Sequence, residues 1–164
     1  MWGYSRNVDA KVWIIDETAR IMDAFFRTLR AMPPDRLEWK PMGEGRSALS
    51  QARECAQSPS WGIELLTARK VPEFSQERRA ALRAESAGWT LEDCERVCRE
   101  RTELLFDAIR AFPEEEMGRT VPMPFACGRV LTFGEALGLH LWNLSYHHGQ
   151  VSYIQTLYGD RELH

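Results

Sequence analysis

The segment Leu137–Leu157 constrains the fold more than any other part of the chain. Its apolar residues Leu137, Leu139, Leu141, Trp142, Leu144, Val151, Ile154 and Leu157 are spread over several helical faces. A helix that is apolar nearly all round is a buried one. No stretch of the sequence approaches the ~20 apolar residues that cross a bilayer, so the cover has to come from the rest of the chain. This predicts a helix packed inside a bundle.

The remaining sequence supplies the partners. From Val8 to Met32, Val12, Ile15, Ala19, Met22, Phe25, Phe26 and Leu29 recur at three- and four-residue steps, the stripe of an amphipathic helix. Asp9 or Asn7 caps it, and Pro33-Pro34 stops it. After a loop over residues 35–45, Arg46 or Ser47 opens a second helix to about Lys70, with Ala48, Leu49, Ala52, Cys55 and Ala56 inward. Pro59 predicts a kink or break near Ser58, or a newly capped helix starting there. Residues 72–88 are charged and read as a polar connector around a short solvated helix. Thr90, with Glu92 and Asp93 behind it, starts a third long helix to about Phe112. The proline-rich run 120–132 reads as an extended crossover or short hairpin turning at Cys127-Gly128. Thr132 and Glu135 then form a capping box opening a fourth helix that runs to Tyr158 and stops at Gly159. Four helices of about 20 to 25 residues make a single all-α domain over 1–164, a four-helix bundle with long crossover connections and a short extended segment before the last helix.

Composition narrows the function. The 164 residues carry 21 basic and 24 acidic side chains, a net charge of −3, which weighs against duplex DNA as a partner. Arginines 78, 79, 83, 96, 99, 101 and 110 are interleaved with acids and read as a solvated face. The N-terminus lacks the pattern of a signal peptide, so the expected location is the cytoplasm, with no nucleic-acid or membrane partner. The four cysteines, Cys55, Cys94, Cys98 and Cys127, lack zinc-knuckle spacing and are expected to be buried thiols with no structural disulfide.

The chemistry concentrates in the last helix. His140, Asn143, His147, Gln150 and Ile154 share one stripe, and an unsatisfied polar group buried there costs about 1–3 kcal/mol. Hydrogen bonds to other helices, a bound metal or a wet pocket would each satisfy it. His147 and Asn143, one turn apart, can converge on one ion. His140 lies about 10 Å along the axis from His147 at 1.5 Å per residue and is too remote to share it. His148 points about 100° away, toward another helix or a partner chain. No nucleophile elbow, P-loop or dinucleotide fingerprint is present.

The string Asn143-x3-His147-His148-Gly149-Gln150, followed by Tyr153-Ile154-Gln155, resembles the H-x3-H-x-G-Q signature on the last helix of the DinB/YfiT-like superfamily of bacterial four-helix proteins. The likeness extends to the first helix ending at Pro33-Pro34, the Leu37-x-Trp39-x-Pro41 loop and the second helix led by Ser47. The resemblance implies a DinB-like bundle in which three histidines, one on the second helix and two on the last, hold a divalent ion, often nickel or zinc. It further implies metal-dependent transfer of small thiols, a relation to thiol-dependent isomerases, and homodimers. Here the second-helix histidine is replaced by Glu54 and the first of the last helix by Asn143, so that only His147 matches.

Two functions follow from the resemblance. In one, Glu54, Asn143 and His147 ligate a divalent ion (Ni, Zn, Mn or Fe) in an enzyme of the thiol-transferase or hydrolase type. Such a harder O/O/N set also suits magnesium. In the other, the chain holds no metal, Glu54 accepts hydrogen bonds from His147 and Asn143, and a non-catalytic dimeric bundle binds a small thiol, a hydrophobic ligand or a protein partner. Trp2, Trp13 and Trp39, near helix ends, are expected either to meet a second copy or to fill the ends of the bundle.

Overall fold

A computed structural model describes residues 9–73, 75–124 and 128–164. The first helices begin where the sequence offers a side-chain acceptor. Asp9 accepts from the backbone N–H groups of Lys11 and Val12 to open α1 (Ala10–Ala31). Ser47 does the same for Ser50 at the head of α2 (Ala48–Ala68), and Ser75 for Arg78 at the short α3 (Gln76–Ser86). Thr90 and Asp93 cap α4 (Leu91–Ala111) reciprocally. Such caps supply partners for N–H groups that the first turn leaves unpaired. Pro33 and Pro113 follow the ends of α1 and α4, while α2 ends at Arg69 in a left-handed conformation with φ of 55°.

Two three-residue strands, β1 (Thr120–Pro122) and β2 (Val130–Thr132), pair antiparallel with Val121 opposite Leu131. The expected turn at Cys127-Gly128 includes residues 125–127, which lie outside the described residues. The Thr132–Glu135 capping box forms as expected but opens only the one-turn α5 (Phe133–Ala136). The long last helix, α6 (Leu139–Leu157), starts afresh at Gly138. The single helix expected from Thr132 is therefore two. Phe133 and Gly134 donate backbone hydrogen bonds to Arg119 and Met117, which fastens α5 to the hairpin end, and the chain turns at Leu137-Gly138 to enter the bundle.

Cross-helix pairs fix the helix directions. Asp23 meets Arg99 and Arg30 meets Glu95, so α1 and α4 are antiparallel. Arg53 reaches Trp89, the Cys98 thiol reaches Cys55, and Gly62 faces Leu105, so α2 and α4 run parallel. Gln51 meets His147 and Ser58 meets His140, so α6 is antiparallel to α2. Two parallel neighbours need a crossover between them, and residues 69–90 with α3 provide it. One core cluster gathers Phe25, Phe26, Leu29, Ala52, Cys55, Cys98, Leu144 and Val151 toward one end of the bundle. A second gathers Leu65, Leu105, Phe106, Phe112, Leu131 and Phe133 at the hairpin end.

Pro59 neither breaks α2 nor restarts it; the helix is continuous through it. Proline leaves the carbonyl four residues earlier without its helical donor. That carbonyl belongs to Cys55, and it accepts from the Ser58 hydroxyl at 3.2 Å and from the Cys98 thiol at 3.5 Å. The broken helical bond is thus replaced locally. Cys55, Cys94 and Cys98 are buried free thiols, and burial pushes Cys94 up to about 11 and Cys98 to about 12, which keeps them protonated. Cys127 lies outside the described residues.

The last helix is not covered on every side. Its inner faces bury Leu144, His147, Val151 and Ile154, but Trp142, Tyr146, Tyr153 and Leu157 are exposed. In a bundle of four, each helix keeps one outward face, whatever its composition. Trp39 packs against the core, Trp13 stands half-exposed on α1, and Trp2 lies outside the described residues. Among the described residues no helix is long and apolar enough to cross a membrane.

The core rests heavily on the edge-to-face pair Phe25–Phe26, whose ring centroids are 5.2 Å apart and which is fully buried. Truncation of Phe26 to alanine is expected to lower unfolding free energy by about 3–5 kcal/mol, read from urea denaturation of the two proteins.

Candidate functional site

The antiparallel contact of α2 and α6 brings three sequence-predicted residues together. Glu54, one turn after the buried Gln51, projects from α2 at the mouth of the contact with its side chain about half exposed. Its Oε1 lies 3.0 Å from His147 Nε2 and accepts from Asn143 Nδ2 at 3.3 Å. Its Oε2 pairs with the Arg46 guanidinium at 2.7 Å. The hydrogen bond with His147 comes first among the causes that hold the Glu54 carboxyl down at about 2, against an opposing effect of burial. Glu54 is therefore a carboxylate at any working pH.

His147 is 1% exposed and has an oxygen at each ring nitrogen. Nδ1 lies 2.9 Å from Gln150 Oε1 and 3.0 Å from Gln51 Oε1. The Gln51 amide is oriented by its own Nε2, which donates to the Arg46 carbonyl at 3.4 Å. Amide oxygens only accept, so they fix a proton on Nδ1. Nε2 then faces the Glu54 carboxylate across 3.0 Å, and a bare lone pair there would meet negative charge. A proton or a cation has to lie between them. The buried Asn143 Oδ1, beside this pair, has no hydrogen-bond partner among the described residues.

Gln51 is the residue that sequence reading passed over. Its signal was present, since it lies on the inward stripe of α2 between Ala48 and Cys55 and is polar where its neighbours are apolar. Arg46 was read only as a helix opener; its pairing with Glu54 spans two turns and could not be read from periodicity.

His140 does not join the cluster. It forms a second buried group one to two turns nearer the hairpin, with Nδ1 2.8 Å from Ser58 Oγ and Nε2 3.0 Å from Thr102 Oγ1. Thr102 in turn lies 4.0 Å from Cys98 Sγ. Desolvation alone pulls the imidazole down to about 3, so His140 is neutral. His148 packs toward α1 as one of the expected alternatives had it, with Nε2 3.1 Å from Thr28 Oγ1. Burial, then the charge of Arg27, lowers its pKa.

Neither a protein-family model nor a curated protein matches the sequence. Solved structures do match. YfiT from Bacillus subtilis, a probable metal-dependent hydrolase with an unusual four-helix bundle topology, superposes with a TM-score of 0.75 at 13% identity over 96% of this chain and 94% of its own. A DinB-like protein, YjoA, from the same species gives 0.62 at 17% identity over 93% and 95%. A mutant of the mycothiol-dependent maleylpyruvate isomerase gives 0.64 at 15% identity over 86% of this chain and 60% of that one. The fold is that of the DinB-like four-helix proteins.

His140 and Glu54 each set a pH dependence. Unfolded, His140 takes up a proton below about 6.5, whereas folded it resists until about 3. Its contribution to stability is complete above 6.5 and is lost as pH falls from there toward 3. Glu54 acts in the same direction lower down, between 4.5 and about 2. The non-titrating H140Q variant keeps a donor and an acceptor. Between pH 6.5 and 4.5 it is expected to lose stability less steeply than the parent, by up to about 1.4 kcal/mol per pH unit, in urea titrations at several pH values. His148 is common to both proteins and drops out of the comparison.

Proposed function

We propose that this chain is a divalent-metal-dependent enzyme of the hydrolase or thiol-transferase type, with Glu54, Asn143 and His147 as the protein ligands of one nickel, zinc, manganese or iron ion. The observation that carries the proposal is the setting of His147. Its Nδ1–H is held by two amide oxygens, and its Nε2 is turned toward a carboxylate that stays ionised. A metal-binding histidine typically donates its other N–H to an oxygen in this way, which fixes both ring and tautomer. The donor set fits such an ion. Nε2 and Oε1, 3.0 Å apart on two helices, would be the two donors nearest to such an ion. The unpartnered Asn143 Oδ1 becomes the third donor on rotation of its amide, which exchanges its oxygen and nitrogen. YfiT, a probable metal-dependent hydrolase, and the mycothiol-dependent isomerase share the fold and support the reaction class.

The chain's own groups divide the work. Gln51 and Gln150 hold the imidazole, and Glu54 supplies the negative charge. Arg46, on the outer oxygen of Glu54, offsets part of that charge. A bound ion would polarise a substrate carbonyl or bring a thiol or water toward its anion near neutral pH. The half-exposed Glu54 side chain leaves the cluster open to solvent on that side.

One observation favours a second reading, a metal-free bundle that binds a ligand or partner. Arg46 already places a cation 2.7 Å from Glu54, and three donors surround that carboxylate. The readings part in one experiment, elemental analysis of the untagged protein beside its H147A and E54A variants, with a thermal melt of each. About one equivalent of metal per chain, absent from both variants, is the expected outcome, followed by activity in a hydrolase and thiol-transfer screen. No metal after incubation with excess divalent ions, together with about 1–3 kcal/mol of lost stability in E54A, would establish the hydrogen-bonded cluster instead.

A further inference from the structure

Arg46 is joined to the candidate site twice, by its backbone and by its side chain. It precedes Ser47, the N-cap of α2, and follows a tight turn in which the Gly45 N–H donates to the Pro41 carbonyl at 2.8 Å. A Cβ on Gly45 would stand 2.7 Å from that carbonyl oxygen, so the turn that delivers Arg46 requires glycine. The Arg46 carbonyl accepts from Gln51 Nε2 at 3.4 Å, and Gln51 Oε1 faces His147 Nδ1. Its guanidinium reaches over two turns of α2 to Glu54 Oε2 at 2.7 Å, while Glu54 Oε1 faces His147 Nε2. One residue thus stands behind both nitrogens of the buried imidazole.

The two attachments differ in strength. The backbone is fixed by the turn on one side and by the start of α2 on the other. The side chain is 47% exposed, and its second hydrogen bond, to the Ser50 carbonyl, is long at 3.4 Å. An ion pair open to solvent on both partners adds little to stability and can separate at small cost. Its charge bears directly on the donor set. An asparagine amide is neutral, and an imidazole has to be neutral to ligate a metal. Of Glu54, Asn143 and His147, only Glu54 brings negative charge, and the Arg46 guanidinium cancels it. The fixed charge that a divalent ion would meet is therefore zero with Arg46 in place and −1 without it.

We infer that Arg46 is an internal counter-cation of this site: its guanidinium and the divalent ion compete for the charge of Glu54, and Arg46 sets how tightly the ion is held. The inference rests on the proposed metal site and adds to it a residue that is not a ligand. The competition acts in either mode of binding. An ion on Oε1 alone leaves the guanidinium on Oε2 and is repelled by it across the carboxylate. An ion on both oxygens has to displace the guanidinium, which the exposed side chain permits. In both cases the ion is held more weakly than the three donors alone would hold it, and it exchanges more readily. In the metal-free chain the same contact keeps Glu54 paired.

Calorimetric titration of nickel(II), and separately of manganese(II), into the full metal-free chain tests it, with R46Q and R46K beside the parent. R46Q keeps the backbone carbonyl that holds Gln51 and removes the charge, whereas R46K keeps the charge. R46Q is expected to bind the ion about 10-fold more tightly than the parent, and R46K to stay within about threefold of it. The gain in R46Q is expected to shrink as ionic strength rises from about 0.02 M to about 0.5 M. Thermal melts show that each variant folds, and the ion is expected to raise the Tm of R46Q more than that of the parent. Uptake by R46Q alone would also support the inference and make Arg46 the reason that the parent stays metal-free. A parent that binds at least as tightly as R46Q overturns the inference and leaves the metal site standing. An equal gain in R46K assigns the effect to the shape of the guanidinium rather than its charge, and likewise overturns it. If neither the parent nor R46Q takes up either ion, the metal site itself fails and the inference with it.

Discussion

The antiparallel contact between α2 and α6 is the constraint on which the rest of the structure depends, because it is where an apolar bundle has to bury polar side chains. Gln51 and Glu54 meet His147, Glu54 meets Asn143, and Ser58 meets His140. Each of these groups is costly if left alone, and together they allow one register. Sliding α6 by a turn would part His147 from Gln51 and His140 from Ser58. The polar ladder thus specifies the alignment of the two helices, while the leucines and phenylalanines on either side supply the burial that holds them together.

Within that ladder two histidines of the same helix have opposite chemical prospects. His140 sits between two hydroxyls with no charge beside it, and desolvation leaves it neutral and inert. His147 is as deeply buried but faces an ionised carboxylate that reaches solvent, with a guanidinium beyond. The difference lies in what α2 presents at each level, a serine in one case and a glutamate in the other. The role of Ser58 is to close the gap that Pro59 opens in α2, which ties the buried histidine to a helix that would otherwise bend.

The same helix serves three surroundings around its circumference. Its polar stripe meets α2, its aliphatic residues fill the core, and its aromatic stripe faces outward. A sequence reading based on how many faces are apolar merges the last two. Hydrophobicity alone does not distinguish a residue covered by its own chain from one left exposed. Only the position of α6 at the bundle surface separates them.

Periodicity, caps and prolines in the sequence were enough to determine the four long helices, the loop between the first two and the extended pair before the last; the stripe on the last helix offered Asn143 and His147, and Glu54 joined them as a candidate only through the family resemblance. These features are local, since a stripe, a capping serine or a stop proline acts within a few residues. The continuous path of α2 through Pro59, the break at Gly138, the capture of Arg46 by Glu54 and the grip of Gln51 on His147 were decided by tertiary structure. Each depends on a partner from another helix or a distant turn. The Cys55 carbonyl accepts from a thiol that comes from α4 as well as from Ser58, and the first two N–H groups of α5 are taken by the Arg119 and Met117 carbonyls. Sequence gave the donors and acceptors; packing chose which of them meet, because a buried polar group settles on whichever partner the helix register brings within about 3 Å.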